Sequence, residues 1–332
     1  MESKGPEPTK TPASYADFTD AEQSGGWLKT AVQFFAIPML IVLLAVGVYL
    51  GVRMVVGGGA TSSADFVEML KSDTVTRRWH AAFELAARLK DDIPEEFRSQ
   101  EMIDALCSAL DKARTERADP PRMAVLTLSI LSRLNDPRAI PAVREAMEDA
   151  HPWTRSHAIR TLAQMGDRES LSRMREFATN DDAGTRQVAI YAVAMLEQTA
   201  GVPFHLSAST RDLIKTALGD REEDVRFTAA LLLAKVDERE AALPVLKTML
   251  DRSYLEKLVP ASEMDQRMSG ISQYDLHSQL IRKAMHAVEL LDCGDDPEVV
   301  ALVRKLTGTE YEGDADVRER ARQLLAQWNQ GA

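Results

Sequence analysis

Cysteine is almost missing from this 332-residue chain: Cys107 and Cys293 are the only two. Far apart in sequence, they supply neither a disulfide framework nor a thiolate metal cluster. Aromatic residues are scarce at 6%, while Ala and Leu abound. That balance suits helix packed on helix better than a sheet. Positive charge is in deficit, with 40 Lys and Arg against 51 Asp and Glu and a formal net charge of −11. A nucleic-acid binder needs a basic face to neutralise phosphates, so no nucleic-acid partner is expected. Signatures of chemistry are lacking as well. The chain has no HExxH, GxSxG, P-loop or dinucleotide fingerprint. No two of its six histidines have the i, i+4 spacing that sets two metal ligands on one helix face. His151 precedes Pro152, where a helix cap accounts for it. These absences predict no catalytic residues, no metal, no cofactor and no enzyme.

What is present begins with a polar tail over residues 1–26, rich in Pro, Gly, Ser and Thr. From Thr30 to Val52 no residue is charged and most are apolar. About 20 apolar residues at 1.5 Å per residue cross the hydrocarbon core of a bilayer. Trp27 and Lys29 flank the run on one side, Tyr49 and Arg53 on the other, as interfacial residues do. The reading is a single-pass membrane protein with a transmembrane helix and its flanks at 27–56, touching lipid through residues 30–53. The run is long for a cleaved signal peptide, though the small residues after it leave that alternative open. Pro38 starts the helix or kinks it. Gly47 and Gly51 share one helix face, a spacing that permits close helix–helix approach and self-association but also occurs in lipid-facing positions. Sparse Lys and Arg around the run leave the side undetermined, with a lean to an extracytoplasmic C-terminal part.

After a glycine-rich tether at 57–63, the sequence repeats itself over residues 64–329. The unit is Arg, Ala three residues on, then a large aliphatic four further on: Arg78/Ala81/Leu85, Arg155/Ala158/Leu162, Arg186/Ala189/Val193, Arg226/Ala229/Leu233 and Arg318/Ala321/Leu325. Weaker copies surround Arg122 and Arg282. The spacing places Ala and the aliphatic on one helical face. Asp73, Asp119, Asp182, Asp224 and Asp314 precede the arginines and read as N-caps. A shorter helix, such as Pro137–Met147 or Arg211–Leu218, comes before each. Two such helices cannot bury their faces alone, so the units must stack.

The segments Asp136–Asp167 and Leu213–Val236 resemble HEAT repeats, particularly the short bacterial kind also seen in phycobilisome-lyase-like proteins. The resemblance implies an all-α fold: a right-handed α-solenoid of about seven HEAT-type hairpins, here preceded by one transmembrane helix. It further implies that Arg78, Arg155, Arg186, Arg226 and Arg318 are structural, forming a hydrogen-bonded ladder along the stack, while Arg122 and Arg282 depart from the pattern. The expected function is a membrane-anchored scaffold or adaptor for a protein partner. Alternatives are a lyase-like enzyme or enzyme-accessory role, and shape-based nucleic-acid binding. Period-breaking insertions in solenoids often form a binding face. The largest, Asp251–Gln273, carries Tyr254, Leu255, Leu258, Met264 and Met268, residue types that interfaces favour. These five are the expected partner-binding residues. The alternative is an extra short helix that only closes the groove.

Overall fold

The computed structural model describes residues 39–40, 42–48, 62–89, 93–116, 121–198, 202–258, 273–308 and 315–331. The chain divides into two compact units, Met1–Gly59 and Ala60–Ala332.

In the first unit, residues 39–40 and 42–48 are helical and exposed. Among the described residues, no helix is long and apolar enough to cross a membrane. This corrects the expectation of a single-pass membrane protein with lipid contact through residues 30–53. The tail, the remainder of the apolar run, Gly51 and most of the tether lie outside the described residues. Gly47 is helical, and a methyl group added there would meet nothing within 4 Å.

The second unit is helical, with no strand among the described residues. Its helices are α1 (Ser63–Lys71), α2 (Val75–Arg88), α3 (Gln100–Thr115), α4 (Pro121–Leu134), α5 (Ile140–Met147), α6 (Pro152–Gln164), α7 (Leu171–Phe177) and α8 (Ala183–Leu196). They continue with α9 (Ala208–Ala217), α10 (Glu223–Ala234), α11 (Arg239–Leu250), α12 (Arg252–Leu255), α13 (Gln273–Leu290), α14 (Pro297–Lys305) and α15 (Ala315–Gly331). Paired in order, with α12 as an addition between α11 and α13, they make seven hairpins.

The 3-then-4 spacing becomes the packing seam. Ala81, Leu85, Ala158, Leu162, Ala189, Val193, Ala229 and Leu233 are fully buried. Alanine brings neighbouring backbones close, and the aliphatic beside it fills the gap. On α15 the register shifts by one residue: Ala321 and Leu324 are fully buried, Leu325 only partly.

Caps set the helix starts. Asp182 accepts from Thr185 N at 2.7 Å and begins α8. His151 Nδ1 accepts from Trp153 N at 3.3 Å and begins α6. Ser99, Ser207 and Asp296 cap α3, α9 and α14 in the same way. Asp73 does not cap α2; its carboxylate takes a bond from Lys112 at 2.8 Å instead. Asp224 lies inside the first turn of α10, after the cap position at Glu222. Burial, followed by the nearby Glu223 and Glu222 charges, raises its pKa. Asp119 and Asp314 lie outside the described residues. Left-handed residues stop the second helices: Asn135 (φ 49°), Gly166 (φ 73°), Asp237 (φ 58°) and Asp292 (φ 46°). After Gly166 the Asp167 amide reaches back to Leu162 O at 2.9 Å, a closure that left-handed residues permit.

The second helices form one continuous row: α2, α4, α6, α8, α10, α13 and α15 each pack on the next. First helices pack on one another at the ends of the stack, α1 with α3, α3 with α5 and α11 with α14, but only sparsely through α5, α7, α9 and α11. Through the middle of the stack the second-helix row is the more continuously packed of the two.

Candidate functional site

Every described ladder arginine with a visible turn makes the same first bond. Arg78 Nη1 donates to Ser72 O at 2.9 Å, Arg155 Nη1 to Asp149 O at 2.9 Å, Arg186 Nη1 to Asn180 O at 2.8 Å and Arg226 Nη1 to Asp220 O at 2.6 Å. The acceptor is always six residues back, in the turn between the two helices of a hairpin. The fourth position of the second helix points there because the helix rises away from that turn. A second bond leaves the hairpin. Arg78 meets Glu116 at 2.6 Å. Arg155 meets Thr185 Oγ1 at 3.2 Å and Asn180 Oδ1 at 3.4 Å. Arg186 grips Asp220 with two bonds, at 2.8 and 2.7 Å. Arg155, Asn180, Arg186, Asp220 and Arg226 are therefore one hydrogen-bonded series across three hairpins. Arg226 also binds Glu223 at 2.8 Å, and Tyr254 OH donates to the same carboxylate at 3.1 Å. Arg318 is half-buried on α15, and the turn before it lies outside the described residues.

A second set of bonds, invisible in the sequence pattern, ties the opposite turns. Cations on first helices reach acids that follow the second helix. Arg144 holds both oxygens of Asp167, with Nε to Oδ2 at 2.8 Å. Arg175 pairs with Glu197 at 2.8 Å, Lys215 with Glu238 at 2.9 Å and Lys247 with Asp296 at 3.0 Å. The Arg144 bond holds the Asp167 pKa below the usual carboxylate value. Burial would raise Glu197, yet bonds from Thr210 and Ser207 keep it low. Arg114 supplies a rung near the divergent Arg122 unit, with Nε 3.0 Å from Asp149 Oδ2. No one-helix periodicity points to these residues, since their partners sit in neighbouring turns.

With both sets of turns tied, the outward face of the second-helix row is left as a groove of about 620 Å³ across α6, α8, α10 and α13. Its apolar lining includes Tyr191, Met195, Leu231 and Leu290. Tyr191, Met195 and Leu290 are 42%, 37% and 51% exposed, far more than the zero exposure usual one turn inward. Its cations are Arg160, Lys235 and Lys283, and no Asp or Glu lines it among the described residues. Gln187 bridges the floor to Thr228 Oγ1 at 3.1 Å. The Lys235 ammonium stands 5.0 Å from the centre of the Phe204 ring. Arg160, Tyr191 and Leu231 each lie five residues after a ladder arginine. Phe83 holds that place in the first hairpin, 61% exposed and stacked with Trp79. That offset is the signal from which the sequence could have yielded the groove.

The insert residues named from sequence are divided. Leu255 is fully buried and Arg252 nearly so, because α12 folds back on α11 and α13. Leu255 is therefore a packing residue, unavailable to a partner. Tyr254 and Leu258 are partly buried against the core. Met264 and Met268 lie outside the described residues. Burial pushes the Cys107 thiol up to about 11 and the Cys293 thiol up as well, so neither is a ready nucleophile. Among the described residues, no three His, Cys, Asp or Glu side chains are placed to hold a metal.

Stacked hairpins with a repeated arginine in the second helix define the class: an α-helical repeat protein. Residues 112–194 match the family of HEAT repeats, which supports this assignment. No curated protein matches the chain. Among solved structures it is similar to human deoxyhypusine hydroxylase, at 14% identity over 80% of this chain and 96% of that one, with a TM-score of 0.34. It is similar to the CpcE–CpcF complex of phycocyanin lyase from Nostoc, at 14% identity over 82% and 96%, with a TM-score of 0.45. It is also similar to YibA of Escherichia coli, at 14% identity over 82% and 84%, with a TM-score of 0.47. Two of these bear the names of enzymes, which corrects the expectation that the missing catalytic motifs exclude an enzyme: motif absence is not a sound exclusion for this fold. At such distances the likeness assigns no activity to this chain.

Proposed function

We infer that the chain is a protein-binding scaffold that seats a partner in the groove of the second-helix row. The carrying observation is the exposure of Tyr191, Met195 and Leu290 together in one groove, on helices whose seam residues are fully buried. Clustered exposed apolar groups mark interaction surfaces, and concave faces of helical repeats offer long ones. In this reading Arg78, Arg155, Arg186, Arg226 and Arg318 fix the pitch between hairpins, so that the groove is formed before the partner arrives and little ordering cost remains at binding. In this reading Tyr254, Met264 and Met268 of the insert also take part in binding, while Leu255 and Leu258 serve packing.

The test is a Tyr191→Ser, Leu290→Ser double variant. Both side chains are exposed, so unfolding should change by no more than about 0.5 kcal/mol per site. Recovery of co-purifying protein should fall at least tenfold. Equal recovery by variant and parent, with melting unchanged, would remove the groove from the account.

A further inference from the structure

The charges of the groove run against those of the chain. Across the sequence acids outnumber bases, 51 to 40. Elsewhere on the second unit cations are mostly consumed in ion pairs: Arg78 with Glu116, Arg114 with Asp149, Arg144 with Asp167, Arg186 with Asp220 and Lys247 with Asp296. In the groove the pattern reverses. Arg160, Lys235 and Lys283 are exposed, and among the described residues no carboxylate lies within ion-pair distance of any of them. Among the described residues no acid lines the groove between them. Repulsion from the surrounding negative surface would discourage an acidic visitor everywhere but here, so the three cations form a local attractive field.

The geometry points to an acidic, apolar-anchored peptide segment of a partner protein as the occupant. This deepens the scaffold reading and rests on it. Arg160 is on α6, Lys235 at the end of α10 and Lys283 on α13, with Tyr191, Met195 and Leu231 on α8 and α10 among them. Helix axes spaced about 8–10 Å apart spread four adjacent helices over roughly 25 Å. An extended segment covers that distance in about eight residues at about 3.3 Å each. Such a segment alternates its side chains, so one set can enter the apolar floor while the other reaches the cations. Carboxylates fit these cations as charge-assisted acceptors. A phosphate backbone is less well matched, because three cations neutralise few phosphates and Tyr191 is a single aromatic platform among aliphatic lining residues.

The test pans a random twelve-residue peptide library on the full chain, with an Arg160→Glu, Lys235→Glu, Lys283→Glu variant as the counter-target. All three sites are exposed, so the variant should keep its helical circular dichroism and melting. Peptides retained by the parent and lost on the variant should be enriched in Asp and Glu interleaved with Phe, Leu or Met. A synthetic peptide of the enriched sequence should bind the variant at least tenfold more weakly. Its affinity for the parent should fall at least threefold between 50 and 300 mM salt, as expected for screened charges. Peptides that require Tyr191 and Leu290 but carry no excess of acid would overturn the inference and leave the scaffold reading intact. Recovery of no peptide dependent on either set would overturn both. Tighter binding of a twelve-nucleotide uridine strand than of the enriched peptide would replace the peptide with nucleic acid.

Discussion

Arg186 is 6% exposed and satisfies four acceptors: two carbonyls in its own turn, at Asn180 and Asp181, and both oxygens of Asp220 in the next. A guanidinium is the side chain whose planar fork can do this. Arg186→Ala leaves Asp220 with a poorly solvated charge and the carbonyls without donors, which should cost about 3–5 kcal/mol in urea unfolding. Arg186→Lys should recover only part of that loss, because one ammonium cannot face both turns. An equal and small cost for both substitutions would mean that the series carries no structural weight. At Gly294 the argument is steric. A Cβ there would stand 2.6 Å from Trp328 Cγ and 3.1 Å from its Cβ, atoms near the root of the side chain that cannot swing aside. Gly294→Ala should therefore destabilise by about 1–3 kcal/mol, read as a lower unfolding midpoint. At this scale the arginine, alanine and aliphatic triads were legible, because three and four residues are the helix's own period. Arg114 and Arg144 were not, since the turns they face are set by how helices stack and not by spacing along one helix.

Between helices, the seam and the acidic turns make separable contributions. Leu233 is fully buried where α10 meets its neighbours, and Leu233→Ala should cost about 2–5 kcal/mol. The acids Asp167, Asp220 and Glu238 have pKa values held low, first by their bonds from Arg144, Arg186 and Lys215. A carboxyl depressed on folding contributes stability that is complete above its unfolded pKa, near 4, and lost as the pH falls through its folded value. Stability in a fixed urea concentration should thus be level above about pH 5 and decline below about pH 4. Arg144→Gln should lower the plateau and make the acid decline shallower, as Asp167 then has less to lose. An unchanged slope would detach the pair from the acid response. Helix positions were readable from periodicity, and Asp182 and His151 from cap chemistry. Asp73 and Asp224 misled because an aspartate near a helix start can also pair with a cation or turn into the first helical turn, and the sequence does not choose among these. The fate of α12 was hidden for a similar reason: Tyr254 and Leu255 look the same on a binding loop as on a short helix packed into the core.

For the chain as a whole, neighbour-only stacking explains why the repeat architecture could be read without any alignment. Each hairpin carries its own copy of the pattern, and burial of one face demands the next copy. The groove was harder to see because its residues vary at one offset, Arg160, Tyr191 and Leu231, and only their placement side by side makes a surface. The charge of −11 hid it further, since a total says nothing of where three particular cations stand. The central claim is that the partner lies along the second-helix row, and photo-crosslinking addresses it most directly. A benzophenone amino acid would replace Tyr191 in the groove, Asp212 on the exposed side of α9, or Tyr254 beside the insert. The account predicts a strong crosslinked product from position 191, a weaker one from 254 and none from 212. A product from 212 with none from 191 would contradict it.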